Sequence, residues 1–478
     1  MITPGAPDGR RAAAYPNGQL WRPRPAARLK LMSRLVIGNR SSGAQAHRMV
    51  WFAREGDVVV LPSYPTGEFL DLLRRLAALP AGEPRIAVPP AGRQGAESLD
   101  DGRLAVPGFV GELRKLAGGR GVDRLLAVRH DAAVLRLARE AGLDGPRGVP
   151  AFLAQHGGGL VGDLAVFRAL ASGNAVPVPE GRVCTGPREA EEFVWPLLAG
   201  GRAALVRPAR PALPAGAADE LIVPVGGPPG ADADTTIAVA DRETLGEYLA
   251  KSWERYSRDG AFPVVVEHYT YDGERLRIEF LVEAGAVTVL YHGRLRTTPI
   301  RNGLVIPPPP TADAAKAPDL GAFVAHATRV MEVVRALGYR GYAGLDAVVG
   351  PDGDVLFRTL HGGVTDTTHL AVVARYAIGE DCPPARVLIS RDRVPWPSFA
   401  TAQALLDRSG LAFDPDTRTG VLLTGDDLSG SAGPADGPGG GSPVPSGQFL
   451  AVGRDHAHAG ELEAGALAAL DRTSSSAV

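Results

Sequence analysis

Apolar positions along this chain switch repeatedly between a period of two and a period near 3.6. LVIGN (35–39) and DVVVLP (57–62) are apolar runs of strand length. The next segment, GEFLDLLRRLAAL, spaces Phe69, Leu72, Leu73, Leu76 and Leu79 as one face of a helix. VDRLLAVR (122–129) predicts a further strand and DAAVLRLAREAGL (131–143) a further helix. Strands alternating with amphipathic helices predict a parallel, doubly wound sheet over 31–150. Residues 1–30 are rich in Pro, Gly and Arg without periodicity, and are expected to form a disordered tail.

A different texture follows. LAVFRALASG (164–173) predicts a helix ended at Gly173, and VPVPEGRVC (176–184) a proline-bearing edge strand. Pro187 suits a first helical position ahead of EAEEFVWPLLAGG. AALVRP (203–208) and LIVPV (221–225) predict strands, giving a small α+β lobe over 151–240. A second lobe is expected over 241–400. It opens with DRETLGEYLAKSWERYSRDG, a helix capped by Asp241. FPVVVEHYT predicts a strand, and ERLRIEFLV with AVTVLYHG a hairpin around Gly285. LGAFVAHATRVMEVVRALG puts Leu320, Phe323, Val324, Ala327, Met331, Val334 and Leu337 on one stripe. Tyr342–Val349 and Asp354–Leu360 flank the turn Pro351-Asp352-Gly353, and HLAVVARYAIG predicts a helix. A C-terminal region starts at 401–428. Residues 429–447 read as a flexible Gly/Pro/Ser linker, and 448–478 as a strand and a helix that dock back onto the body. The fold class is thus α/β and α+β.

Composition narrows the function classes. A chain of 478 residues holds about three domains at roughly 150 residues each. The formal net charge of −2, with no long basic run, excludes nucleic acid and an acidic membrane as main partners. The two cysteines, Cys184 and Cys382, exclude a disulfide framework and a multi-cysteine metal site. Arginines interrupt the N-terminus and no apolar run approaches membrane-spanning length, so a cytoplasmic location is expected. There is no phosphate-loop signature, no Gly-x-Ser-x-Gly elbow and no His-Glu-x-x-His. His156-Gly157-Gly158-Gly159 reads as a loop, and His361 with His369 has no recognised ligand spacing.

The stretch 203–280 carries the chemistry. One strand ends in a cation, Arg207. Another ends in a carboxylate, Glu267, and Glu274 follows seven residues later. A cation answers phosphates, a strand-to-loop hinge offers backbone groups to a base, and a carboxylate accepts ribose hydroxyls. Each residue alone reads more readily as something plain: Arg207 as a surface charge, Glu267 as an edge-strand carboxylate and Glu274 as a hairpin charge.

In order, these pieces resemble the ATP-grasp superfamily. AALVRP resembles the strand that carries its phosphate lysine, and VVVEHYTYDGER its adenine hinge and ribose carboxylate. GYRGYAGLDAVVGPDGDVLF resembles its metal-ligand hairpin, and HGGVTDTTH the Gly-Gly end of its metal motif. SRLVIGNRSSGAQAHRMVWFAREGDVVVLP resembles a Rossmann-like pre-ATP-grasp domain. FLAQHGGGLVGDLAVFRALASGNAVPVPEG resembles the entry into the first ATP-grasp lobe, and the ordered set resembles peptide ligases of the pheganomycin type. The resemblance implies a pre-ATP-grasp domain, a two-lobed ATP-grasp fold and a small C-terminal region. It implies ATP-dependent joining of a carboxylate to an amine through an acyl phosphate, with small-molecule or peptide substrates and with ATP and Mg2+ as cofactors. Glu267, His268, Tyr269 and Glu274 would hold adenosine, Arg207 phosphate and Asp346 magnesium. Arg301 and Arg358 would stabilise the acyl phosphate, with Arg294 and Arg296 as neighbouring candidates.

The departures fall on the metal. Anchored on Gly362 and Gly363, the family's Glu-x-Asn-x-Arg-x-Gly-Gly positions hold Leu356, Arg358 and Leu360. Hard-cation sites need oxygen ligands. A silenced pseudo-ligase that binds a nucleotide, a peptide or a partner ligase therefore stands as the alternative, and a homo-oligomer stays open.

Overall fold

The computed structural model describes residues 33–39, 46–80, 82–92, 99–117, 122–142, 149–210, 219–227, 235–270, 273–297, 302–311, 316–379, 385–396, 398–426 and 446–471. The tail expected at 1–30, Arg301 and almost all of the linker expected at 429–447 lie outside the described residues.

The first sheet is parallel, as the alternation predicts. It comprises β1 (Ser33–Ile37), β2 (Val58–Val60), β3 (Arg85–Ala87) and β4 (Val122–Ala127), in the order β3-β2-β1-β4. Strand alternation sends Leu35, Ile37, Val58 and Val60 to one face, under helices Pro107–Leu116 and Ala132–Glu140. The second helix is started by Asp131, whose carboxylate accepts the Val134 amide at 3.0 Å. Val36 and Val59 face the other way, toward Trp51 and the predicted helix Gly67–Ala77. That core continues into strands and helices more than three hundred residues later.

A second sheet has the order β5-β9-β6-β7-β8: β5 (Gly181–Cys184), β6 (Ala203–Pro208), β7 (Glu220–Pro224), β8 (Thr235–Val239) and β9 (Val264–Tyr269). Every residue of β6 is buried, as its unbroken apolar run predicts. Asp241 caps helix Arg242–Ser257, its carboxylate accepting the Thr244 amide at 2.8 Å. That helix and Pro187–Ala199 cover one face of the sheet. Because β9 inserts between β5 and β6, this sheet runs on past residue 241, where the sequence pattern expects the second lobe.

The third sheet is antiparallel throughout, in the order β14-β13-β10-β11-β12-β15-β17-β16. Its members are β10 (Arg275–Val282), β11 (Val287–Thr297), β12 (Asn302–Ile306), β13 (Gly341–Val349), β14 (Val355–Gly362), β15 (Val387–Pro395), β16 (Gly420–Leu423) and β17 (Ser446–Gly453). Helix Leu320–Ala336 lays Phe323, Ala327, Met331 and Val334 on it, along the predicted stripe, whereas Leu337 is exposed. The sheet crosses residue 400 without a break, so the C-terminal strand is a member of it, and helix His456–Asp471 packs on it.

One local expectation is corrected. Gly157–Val161 is a short helix rather than a loop. Gly158 permits it, because a Cβ there would press on the His130 carbonyl at 3.2 Å. Among the described residues no helix is long and apolar enough to cross a membrane.

Candidate functional site

The second and third sheets face each other, and pleating decides which side chains meet. On β10, Leu276, Ile278, Phe280 and Val282 pack into the helix-covered core. Arg275, Arg277 and Glu279 therefore share the opposite face. Antiparallel register sets Arg277 directly across from Asp346 on β13. On the second sheet, Ala204, Val206, Val264 and Val266 lie against the helices, which turns Arg207 and Glu267 toward the third sheet. Between the sheets lies a cavity of about 240 Å³ lined by Arg207, Asp219, Arg275, Arg277, Asp346, Arg358 and Asp366 among others.

Glu267 is 1% exposed and meets three arginines. Arg168 Nη1 donates to its Oε2 at 3.1 Å, and Arg358 Nε to its Oε1 at 3.2 Å. Arg207 Nη1 stands 3.5 Å from the same Oε1. A buried carboxylate is tolerated only when paired and hydrogen-bonded. Here one carboxylate ties helix Leu164–Gly173, β6 and β14 together. Arg207 also donates to Asp219 at 2.9 Å, to the Arg358 carbonyl at 3.2 Å and to Thr359 Oγ1 at 3.0 Å. The cation predicted on one lobe and the candidate predicted on the other are thus in direct contact.

Across the cavity, Arg277 grips Asp346 with two bonds: Nε to Oδ1 at 2.7 Å and Nη2 to Oδ2 at 2.9 Å. Its Nη1 donates to Asp366 Oδ1 at 2.6 Å and to Thr367 Oγ1 at 3.2 Å. His361 Nε2 lies 2.9 Å from Asp346 Oδ2. Burial alone would push the Asp346 carboxyl up. The guanidinium of Arg277 and then His361 outweigh it and hold the group well below the usual carboxylate range. For Arg277, burial opposes the charge while Asp346 and Asp366 raise its pKa well above the usual value.

Tyr269 is buried on the same strand face as Glu267, in a small cluster with Ala203, Leu205, Leu221 and Val223. His268 points to the opposite face; burial and then Arg202 lower its pKa. Glu274 precedes β10 with the parity of Leu276, and it accepts from Arg294 Nη1 at 2.9 Å rather than lining the cavity. Arg294, directly across from Leu276, and Arg296 likewise lie on the side away from the cavity, and Arg296 is paired with Glu463 at 2.9 Å. Leu360 belongs to the core and Leu356 is half-buried. Arg168, Arg277, Glu279 and Asp366 are functional candidates that sequence reasoning missed. The signal for two of them is RLRIEFLV itself, where charged residues at every second position alternate with apolar ones in a strand buried on both faces.

The donor set does not suit a hard dication. Both Asp346 oxygens are taken by Arg277 and His361, and Leu356, Arg358 and Leu360 offer no oxygen ligand. Among the described residues no group of three or more His, Cys, Asp or Glu side chains is arranged to hold a metal ion. Cys184 is buried, its thiol pushed up to about 12 by burial, so it is no nucleophile.

Residues 46–143 match the family model described as Pre ATP-grasp domain, and residues 401–466 that described as PGM1 C-terminal domain. No curated protein sequence matches the chain. Among solved structures, an L-amino acid ligase from Bacillus licheniformis is similar at 13% identity and TM-score 0.50, covering 92% of this chain and 97% of its own. An N5-carboxyaminoimidazole ribonucleotide synthetase in complex with ADP is similar at 11% identity and TM-score 0.53, covering 92% and 97%. A biotin carboxylase complex from Campylobacter jejuni is similar at 11% identity and TM-score 0.53, covering 90% and 89%. These identities establish the fold, not a shared substrate.

Proposed function

We propose, from the ATP-grasp fold that this chain carries behind a pre-ATP-grasp domain, that the cleft between its second and third sheets binds ATP and joins a carboxylate to an amine. The observation that carries this reading is the set of four arginines, Arg207, Arg275, Arg277 and Arg358, around one cavity between the two lobes. Phosphoryl transfer asks a protein for positioning and charge stabilisation more than for covalent chemistry. Guanidinium groups supply both.

In this reading an oxygen of the acyl donor's carboxylate attacks the γ-phosphorus and ADP departs. The amine then attacks the acyl phosphate carbonyl, phosphate leaves with the C–O bond electrons, and the amine proton passes to solvent or base. Arg207 and Arg358 approach the phosphoryl group from the two lobes, and Glu267 fixes both. Tyr269, with Leu205 and Val223, forms an apolar floor for the base, and the backbone around His268 edges it. Glu274, paired with Arg294 off the cavity wall, takes no part in this reading. Arg301 is assigned to the acyl phosphate, as the resemblance suggests. The likeness to an L-amino acid ligase favours amino acids or small peptides as substrates.

A second reading, a silenced ligase that binds a nucleotide, a peptide or a partner ligase, is favoured by the charges already paired across the cleft and by apolar Leu356. Incubation of the whole protein with ATP and pooled amino acids and dipeptides separates the two. Ligation is expected to release ADP and phosphate in step with amide formation. No ADP, with ATP still raising the melting temperature, selects the silenced protein. Neither ADP nor a thermal shift removes the nucleotide from this cleft.

A further inference from the structure

We propose that Arg277 is the resident cation of this cleft: it fills the position between Asp346 and Asp366 that a divalent ion would need, and makes nucleotide binding there independent of divalent metal. The second half rests on the reading of the cleft as a nucleotide site; the first half does not.

The geometry is that of a metal site with a guanidinium at its centre. Two carboxylates, one on β13 and one just after β14, converge on one cation, Asp346 through both oxygens at 2.7 and 2.9 Å and Asp366 at 2.6 Å, and the Thr367 hydroxyl completes the set. Cross-strand register fixes Arg277 opposite Asp346 before any ligand arrives. A guanidinium has five N–H donors, and among the described residues four are engaged here, leaving one for a phosphate oxygen at the cavity wall. The cation is covalently held, so it costs no ion-capture step and cannot be removed by a chelator. The arginine at 358, which lines the same cavity, agrees with this, since a site whose charge is built in has no use for an additional oxygen ligand there.

Two measurements on the whole protein test it. In a titration with Mn2+ followed by electron paramagnetic resonance, without nucleotide, the wild type is expected to leave the ion free in solution. Arg277→Ala uncovers the Asp346, Asp366 and Thr367 oxygens, and is expected to bind about one Mn2+. Stoichiometric Mn2+ binding by the wild type, lost on Asp346→Asn, would overturn the assignment. ATP binding by calorimetry is expected to differ by less than about threefold between magnesium and EDTA for the wild type. For Arg277→Ala it is expected to weaken at least about tenfold in EDTA, the loss of one charge-assisted contact, and to recover with Mn2+. A tenfold loss by the wild type in EDTA refutes metal independence. No ATP binding in either buffer defeats the nucleotide reading and that half of the inference, while the Mn2+ titration still decides whether Arg277 fills the metal position. Arg277→Lys covers the case in which the alanine variant does not fold. It retains the charge and is expected to keep Mn2+ out, and Mn2+ uptake by it would count against the proposal.

Discussion

Two buried carboxylates in this cleft are handled in opposite ways. Glu267 is neutralised by guanidinium groups, whereas Glu279, fully buried two residues beyond Arg277, accepts from hydroxyls. Thr365 Oγ1 donates to its Oε1 at 2.6 Å and Thr368 Oγ1 to its Oε2 at 3.0 Å. Burial pushes Glu279 from 4.5 up to about 7, against the opposing pull of Arg277 and the threonines. The native state therefore keeps a proton that the unfolded chain has already lost. Stability is expected to fall as pH rises from about 4.5 toward 7, by at most about 1.4 kcal/mol per pH unit, and to level off above. Glu279→Gln removes this titration. Denaturant unfolding across that window is expected to show the variant gaining on the wild type with rising pH, and parallel profiles would refute the assignment.

At the scale of elements, local signals and remote pairings part company. The helix Leu164–Gly173, the strand Ala203–Pro208 and the hairpin turns at Gly285 and Gly353 follow from neighbouring residues, and the sequence pattern locates them. β3, with three residues, and β8, TTIAV with an exposed face, carry too little pattern to be seen. The partnership of β9 with β5 joins segments some eighty residues apart, and nothing local encodes it. The site behaves likewise. Arg207, Asp346 and Arg358 are legible from their order along the chain, but the ion pairs that occupy them depend on register and on the facing sheet. The turn after β14 shows how narrow such junctions are. Gly363 has φ +103°, its amide donates to the Tyr342 carbonyl at 2.9 Å and to the Tyr339 hydroxyl at 2.7 Å, and a Cβ there would run into the Val128 carbonyl of the first domain. Gly363→Ala is expected to destabilise the protein by about 2 kcal/mol or more, from strain and steric conflict together. An unchanged midpoint in denaturant would show that the first domain yields at no cost.

Over the whole molecule, the first domain is welded to the far end of the third sheet. Trp51 packs edge-on against Phe69 at 5.7 Å, and Phe69 against Phe399 at 5.6 Å. The Trp51 indole donates to the Thr424 carbonyl at 2.9 Å, and Arg48 pairs with Asp392 at 2.6 Å and His47 with Asp426 at 3.0 Å. Removing residues 446–471 takes β17 from between β15 and β16, and the helix His456–Asp471 with it. That deletion is expected to lower the melting temperature of the first domain as well, with Trp51 fluorescence shifting to the red. A first domain that melts at the wild-type temperature in the shortened protein would show the weld to be energetically idle.

The insertion of β17 has a temporal corollary. Among the described residues β16 joins the sheet through β17, so its backbone groups on that side wait for a ladder partner until residue 453 has left the ribosome. Until then a nascent chain presents two open strand edges, β15 and β16, to whatever lies nearby.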